Sequence, residues 1–315
     1  MTKVKLVVQK ILQYIRASRV DGWYITAVFF LLGEWYSIQL LPFVESFIPL
    51  IGMIGIVSTG FWINHVFDKE IDIAAGKDRR FFDYIKPQEM ILSSVIVFLL
   101  CSALLLYVNS LSFIIGVSIF LLGVIYSAPP LRIKNRPPFD AIANGLGIGV
   151  LPFLLGWAAS GNNLTAFSVT CSIICGLAVV SHYFFYTSFD IETDKDCNVR
   201  TSCTILGFNR SISTGIIIYF FSLFLSTLLL GLSVITIAFI CCIPFVSALK
   251  LLGDKMHLNF LVGCIFLTWS GVTMFLLTIY SRSVITLFLF VVTVLFFAYL
   301  SFSILNYHRR GYQSI

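Results

Sequence analysis

The sequence predicts an all-α fold, a polytopic transmembrane helical bundle of nine or ten spans, and three observations predict it. Hydrophobic residues make up 58% of the 315-residue chain and charged residues only 11%, whereas a soluble domain is a little under half apolar. About 20 apolar residues in a helix cross the ~30 Å of hydrocarbon, and ten apolar runs near that length follow one another with short connectors. Basic residues then sort those connectors onto two faces, as retention of Lys and Arg in cytoplasmic loops requires.

The runs cover residues 22–42, 48–66, 88–108, 111–127, 140–160, 165–189, 211–230, 232–252, 258–280 and 283–306. Connectors 67–87, 128–139, 190–210 and 253–257 are long or basic; 43–47, 109–110, 161–164 and 281–282 are short. With ten spans, every basic residue except Arg282 falls on one side, which places both termini inside a cell membrane crossed many times. The least defined junction is at Gly231, where two runs meet with almost no loop, and nine spans with a re-entrant or surface helix there is the alternative. Residues 1–20 mix Lys and Arg through apolar positions and lack a small-residue cleavage site, so they read as an amphipathic cytoplasmic lead-in and not as a removable signal. Little chain is left for a separate soluble domain, and 1–315 reads as a single transmembrane domain. No nucleic-acid partner is expected.

The eight cysteines contain no C-x-x-C pair and fall mostly within apolar runs, which fits small core residues better than zinc ligands. The carboxylates are more informative. Nine of 15 acidic residues lie in two short segments on the basic-loop side: Asp68, Glu70, Asp72, Asp78 and Asp83 after the second run, and Asp190, Glu192, Asp194 and Asp196 after the sixth. In WINHVFDKEID, Asn64, Asp68 and Asp72 are spaced four and four, so a helix continued from the second span carries them on one stripe. In FYTSFDIETDKD, Asp190 and Asp194 repeat the step. Two oxygen-rich stripes at equal depth suit a hard divalent cation, and Mg²⁺ keeps positions open for phosphate oxygens. Ordinary solvated helix caps are the alternative for either motif alone; two motifs in register, on one face and ringed by Lys and Arg, weigh against it. Neither segment has the alternating run of a calcium loop.

Further polar residues lie at depth. Glu34 is in the first span, Asn144 follows Asp140 by four residues in the fifth, and His182 is in the sixth. Ionisable groups there usually face a cavity or a partner, so Asp140 and Asn144 are read as lining the site. Lys77, Arg79 and Arg80 follow the first motif, and Arg132 and Lys134 lie in YSAPPLRIK; each is a candidate phosphate clamp or a topology charge.

N-x-x-x-D-x-x-x-D at Asn64, Asp68 and Asp72 with D-x-x-x-D at Asp190 and Asp194 resembles the paired signature of UbiA-superfamily prenyltransferases. YSAPPLRIKNRPPFDAIANG at 126–145 and DIETDKDCNVRTSCTILG at 190–207 resemble two further stretches of that superfamily, in its order. The resemblance implies a bundle opening laterally to lipid, in which the Asp motifs bind a polyprenyl diphosphate, geranylgeranyl or similar, through Mg²⁺ and pass its prenyl group to a lipophilic acceptor. It implies that Tyr126 reaches the diphosphate or the reacting carbon, and that Arg19, in SRVDGW, matches the family's early arginine. Two departures bear on chemistry. His65 stands where many members have Asp directly after the motif's Asn, and His182 and Tyr186 stand where aromatic-acid members carry Tyr and Lys. The second weakens the case for a charged aromatic acceptor, while YSAPPLRIKNRPPFD and DIETD look most like the lycopene elongase branch; a quinone- or chlorophyll-type acceptor is the alternative. A cation-coupled transporter would also place carboxylates on paired helices, but near the bilayer midplane and not beside basic loops.

Overall fold

The computed structural model describes residues 3–41, 43–74, 79–249, 255–282, 284, 286–288 and 290–295. Among them every regular element is helical. The helices are α1 (Lys3–Ala17), α2 (Val20–Ile38), α3 (Phe43–Ala74), α4 (Pro87–Val108), α5 (Ser110–Ser127), α6 (Phe139–Asn144), α7 (Leu151–Ala159), α8 (Ala166–Thr187), α9 (Ile191–Asp196), α10 (Ser202–Leu206), α11 (Phe208–Leu230), α12 (Val234–Ala248) and α13 (Lys255–Ser281). A π-helical stretch, Gly145–Val150, joins α6 to α7 without breaking the rod.

Seven helices among the described residues are long and apolar enough to cross a membrane: 45–73, 87–108, 110–127, 139–159, 166–196, 208–230 and 260–281. The runs at 22–42 and 232–252 are also helical, as α2 and the 15-residue α12, and a shorter apolar helix covers 286–295. The structure therefore bears out a polytopic helical bundle; nine or ten spans stays an expectation. At the near-loopless junction, Gly231 adopts φ 61, a left-handed conformation open to glycine, and the Ser233 side chain accepts from the Thr236 N–H to start α12.

The chain divides into two compact units, Met1–Tyr219 and Phe220–Ile315. In the first, α3 packs against α4 and α5, and α2 against α7. Glycine sets the second contact: a Cβ at Gly33 would lie 2.0 Å from the Phe153 carbonyl oxygen, and one at Gly156 1.9 Å from that of Phe30. The short connectors meet at one end of this unit. Asn109 Nδ2 donates to the Ala158 carbonyl at 2.8 Å, Ser37 and Ser160 share a hydroxyl contact at 2.5 Å, and Asn162 Nδ2 reaches Ser37 Oγ at 2.9 Å. The acidic segments lie at the other ends of the same helices. In the second unit α12 pairs with α13, joined by Phe239 against Trp269.

The lead-in forms α1 with Val7, Val8, Ile11, Leu12 and Ile15 exposed. Its other face is tied down by Lys10 to Glu89 at 2.9 Å, Tyr14 to Ser93 at 2.9 Å, and Trp62 Nε1 to the Tyr14 carbonyl at 3.2 Å. Six of the eight cysteines are buried and none forms a disulfide, as their place in apolar runs suggested.

Candidate active site

The first acidic motif lies on a continuous helix. Because α3 runs on to Ala74, Asn64, Asp68 and Asp72 share one stripe as their spacing requires. Asn64 Nδ2 donates to Asp68 Oδ2 at 3.0 Å and to Ser127 Oγ at 3.1 Å. Both bonds use the amide nitrogen, so the amide oxygen remains an acceptor.

Cations hold both carboxylates. Arg132 Nη2 lies 2.7 Å from Asp68 Oδ1, and the Lys134 ammonium bonds Asp68 Oδ2. Arg79 places Nε at 2.9 Å and Nη2 at 2.7 Å from Asp72 Oδ2. Asp68 and Asp72 are only 8% and 6% exposed, so these pairs form where water screens them little. Burial pushes the Lys134 ammonium below the ordinary lysine pKa, while Asp68 beside it pulls the other way. Arg132 reaches Asp68 from a left-handed backbone, φ 38, which a non-glycine residue adopts at a cost of about 1–3 kcal/mol.

The second motif begins in a single 3-10 turn, Ser188–Asp190, and continues into α9. Asp190 and Asp194 are half-buried. The end of α9 lies against α3 beside Asp72, where Cys197 Sγ is 3.8 Å from the Ile71 carbonyl. Among the described residues, no three His, Cys, Asp or Glu side chains converge as a metal-ligand set. The carboxylates of the first motif are instead neutralised by Arg and Lys. Their chemistry still fits Mg²⁺: the donors are carboxylate and amide oxygens, and the nearest imidazole, His65, is buried against Phe81 with ring centroids 5.0 Å apart.

Tyr126 stands beside Ser127 at the end of α5 and accepts from Asn144 Nδ2 at 3.0 Å. Asn144 also donates to the Asp140 carbonyl oxygen at 2.8 Å. Asp140, expected to line the substrate site, is instead fully enclosed. Its carboxylate accepts from Tyr183 O–H, Ser202 N–H and Ser202 O–H, each at 2.5 Å. The physical reason is that α10 begins directly over the start of α6, and its first turn needs an acceptor.

Arg19, at φ 51 before α2, places its guanidinium 5.4 Å from the Phe61 ring centroid, one turn before the acidic stripe. Arg80 is exposed and opens a 3-10 turn over 80–83 that buries Phe81. Tyr186 is half exposed one turn before Asp190, and His182 lies one turn earlier. Lys77 lies outside the described residues. Sequence reasoning missed Ser127, Tyr183 and Ser202. Ser127 could have been found as the residue after Tyr126; the other two are paired only by the tertiary fold.

A bundle of apolar helices with a buried cluster of acids and bases at one end defines the chain as a multi-pass membrane protein. Residues 24–256 match the model of the UbiA prenyltransferase family, and the chain belongs to that family. It is 32% identical over 151 residues to a lycopene elongase/hydratase of Haloarcula japonica, covering 47% of this chain and 49% of the relative. To a lycopene elongase/hydratase of Haloferax volcanii it is 38% identical over 93 residues, 29% of each protein. The chain thus aligns with half or less of the length of these relatives. In fold it is similar to a UbiA homolog from Archaeoglobus fulgidus bound to GPP and Mg²⁺, with TM-score 0.67 and 17% identity over 83% of this chain and 99% of that one. A digeranylgeranylglyceryl phosphate synthase superposes with TM-score 0.63 and 21% identity, covering 84% and 99%.

Proposed function

We propose that the protein is a Mg²⁺-dependent prenyltransferase that moves a prenyl group from an allylic polyprenyl diphosphate to a neutral, lipid-dissolved acceptor. One observation carries this reading: the Asn64, Asp68, Asp72 stripe is paired with Arg79, Arg132 and Lys134 at the end of an apolar bundle. That arrangement provides ligands for cations and donors for phosphate side by side.

Asp68, Asp72, Asp190 and Asp194, with the Asn64 amide oxygen, would hold Mg²⁺, which supplies charge neutralisation for the leaving diphosphate. Arg132, Lys134 and Arg79 exchange their carboxylates for phosphate oxygens when substrate enters. Arg makes the directional contacts and Lys a point charge. The allylic C–O bond breaks with its electron pair leaving on the diphosphate. The apolar interior keeps water from the carbocation, and Tyr126, its hydroxyl oriented by Asn144, faces the reacting end. An alkene acceptor attacks through its π pair, forming the new C–C bond, and the resulting cation loses a proton or takes up water.

His182 and Tyr186 support an acceptor without a carboxylate, since neither offers a fixed ammonium and a buried unpaired carboxylate costs several kcal/mol. The curated names of the relatives support a carotenoid end in particular. Purified protein given geranylgeranyl diphosphate is expected to prenylate lycopene in detergent and to ignore 4-hydroxybenzoate. Product from the benzoate alone would overturn the acceptor assignment and leave the prenyl-transfer reading standing.

The basic loops support a site and both termini on the cytoplasmic face of the cell membrane. In a Cys-poor variant, Arg136→Cys is expected to be labelled only from the cytoplasmic side and Asn162→Cys only from outside. The reverse pattern would invert the topology.

A further inference from the structure

We infer that Asp140 is a positioning residue whose carboxylate clamps both ends of the second acidic segment and holds it at the depth of the first. This deepens the proposed function and rests on it. Tyr183 lies seven residues before Asp190 and Ser202 eight residues after Asp194. Both bond the same carboxylate: Tyr183 O–H and Ser202 N–H donate to Oδ2, and Ser202 O–H to Oδ1. The chain that carries Asp190 and Asp194 is therefore a loop closed on one side chain.

The closure is reinforced from below. Cys203 Sγ lies 3.9 Å from the Phe184 carbonyl, and Ala141, Phe184, Ile191 and Cys203 form one buried cluster, so Ile191 anchors the segment beneath its aspartates. Within the segment, Val199 N–H closes on the Asp194 carbonyl at 2.7 Å.

The other half of α6 faces the first motif. Asn144, one turn after Asp140, bonds Tyr126; the neighbouring Ser127 accepts from Asn64; and Asn64 bonds Asp68. A chain of single-residue links thus runs from Asp68 through Asn64, Ser127, Tyr126 and Asn144 to Asp140, and from there to both ends of the Asp190–Asp194 segment. Helix α6 is the strut between the two motifs. All three bonds to the carboxylate come from neutral donors, and Asp140 is 0% exposed. Apolar residues would pack α6 on α8 without the desolvation cost of a buried charge. What the carboxylate adds is direction, because one group fixes α6, α8 and α10 in register.

The test uses the full chain in detergent, with Mn²⁺ and inorganic pyrophosphate as probes and free Mn²⁺ read by electron paramagnetic resonance. Asp140→Asn keeps the volume and an oxygen for Tyr183 O–H and Ser202 N–H, but it removes the charge and turns an N–H₂ toward Ser202 Oγ, which must then accept where it donated. It is expected to weaken Mn²⁺–pyrophosphate binding by about 10–100-fold, the usual effect of losing a group that orients metal ligands. Tyr183→Phe and Ser202→Ala each remove one donor and keep the carboxylate. They are expected to weaken binding in the same direction by smaller factors, and they carry the test if Asp140→Asn does not fold. A purely structural role would lower the thermal midpoint and leave binding by the folded protein unchanged; wild-type binding by the folded variants overturns the inference. Asp190→Asn separates the two levels. If it binds weakly while the clamp variants bind normally, the clamp fails and the proposed function stands; if it too binds as wild type, the proposed function itself fails.

Discussion

Asp68→Ala is expected to abolish prenyl transfer, with turnover down about 10²–10³-fold or more, the loss typical of removing one group that stabilises developing charge. Three side chains of the site, Asn64, Arg132 and Lys134, bond Asp68. Removing it takes away the proposed Mg²⁺ ligand and leaves Arg132 and Lys134 without this partner. Those side chains are 23% and 12% exposed, so stability falls as well. Asp68→Asn separates the effects: it keeps the volume and one acceptor but not the charge. Activity is expected to fall as far as in the alanine variant while the thermal midpoint falls less. Wild-type turnover by Asp68→Asn would contradict the role given to this carboxylate.

Arg132→Ala is the second large effect. The guanidinium is held toward Asp68 from a strained left-handed backbone, an arrangement that a charge needed only for topology would not require. Losing the charge-assisted contacts with phosphate proposed for it is worth about 1.5–3 kcal/mol, so kcat/KM for the diphosphate is expected to fall about 10–100-fold. Arg132→Lys is expected to recover only part of this, because an ammonium offers a point charge where the guanidinium offers a planar set of donors. Unchanged kinetics in Arg132→Ala would return the residue to a topological role.

How far this site could be read in advance depends on the range of each interaction. The stripe of Asn64, Asp68 and Asp72 was legible because helical periodicity alone aligns residues four apart. The second motif was legible in its spacing but not in its conformation, since the 3-10 turn at Ser188–Asp190 leaves no signature in D-x-x-x-D. Arg132 and Lys134 were ambiguous because positive-inside topology and phosphate binding select the same residues in the same loops; only their contact with Asp68 distinguishes the pair. Asp140 was misread. Its spacing from Asn144 suggested one cavity-facing stripe, yet the enclosing partners, Tyr183 and Ser202, come from helices 43 and 62 residues away in sequence. No local pattern encodes such a pairing. The count of spans was blurred for a related reason: α2 carries a buried Glu34 bonded by Ser46, and α12 is short, so apolar length alone does not separate spanning from inserted helices.

The most direct test of the central claim is transfer by the purified protein. Incubated in detergent with geranylgeranyl diphosphate, lycopene and Mg²⁺, it is expected to release diphosphate and form a prenylated carotenoid detectable by mass spectrometry, with product lost on adding EDTA and regained with excess Mg²⁺. Product formation indifferent to EDTA, or no prenyl transfer to any lipophilic acceptor under conditions where the protein stays folded, would contradict it.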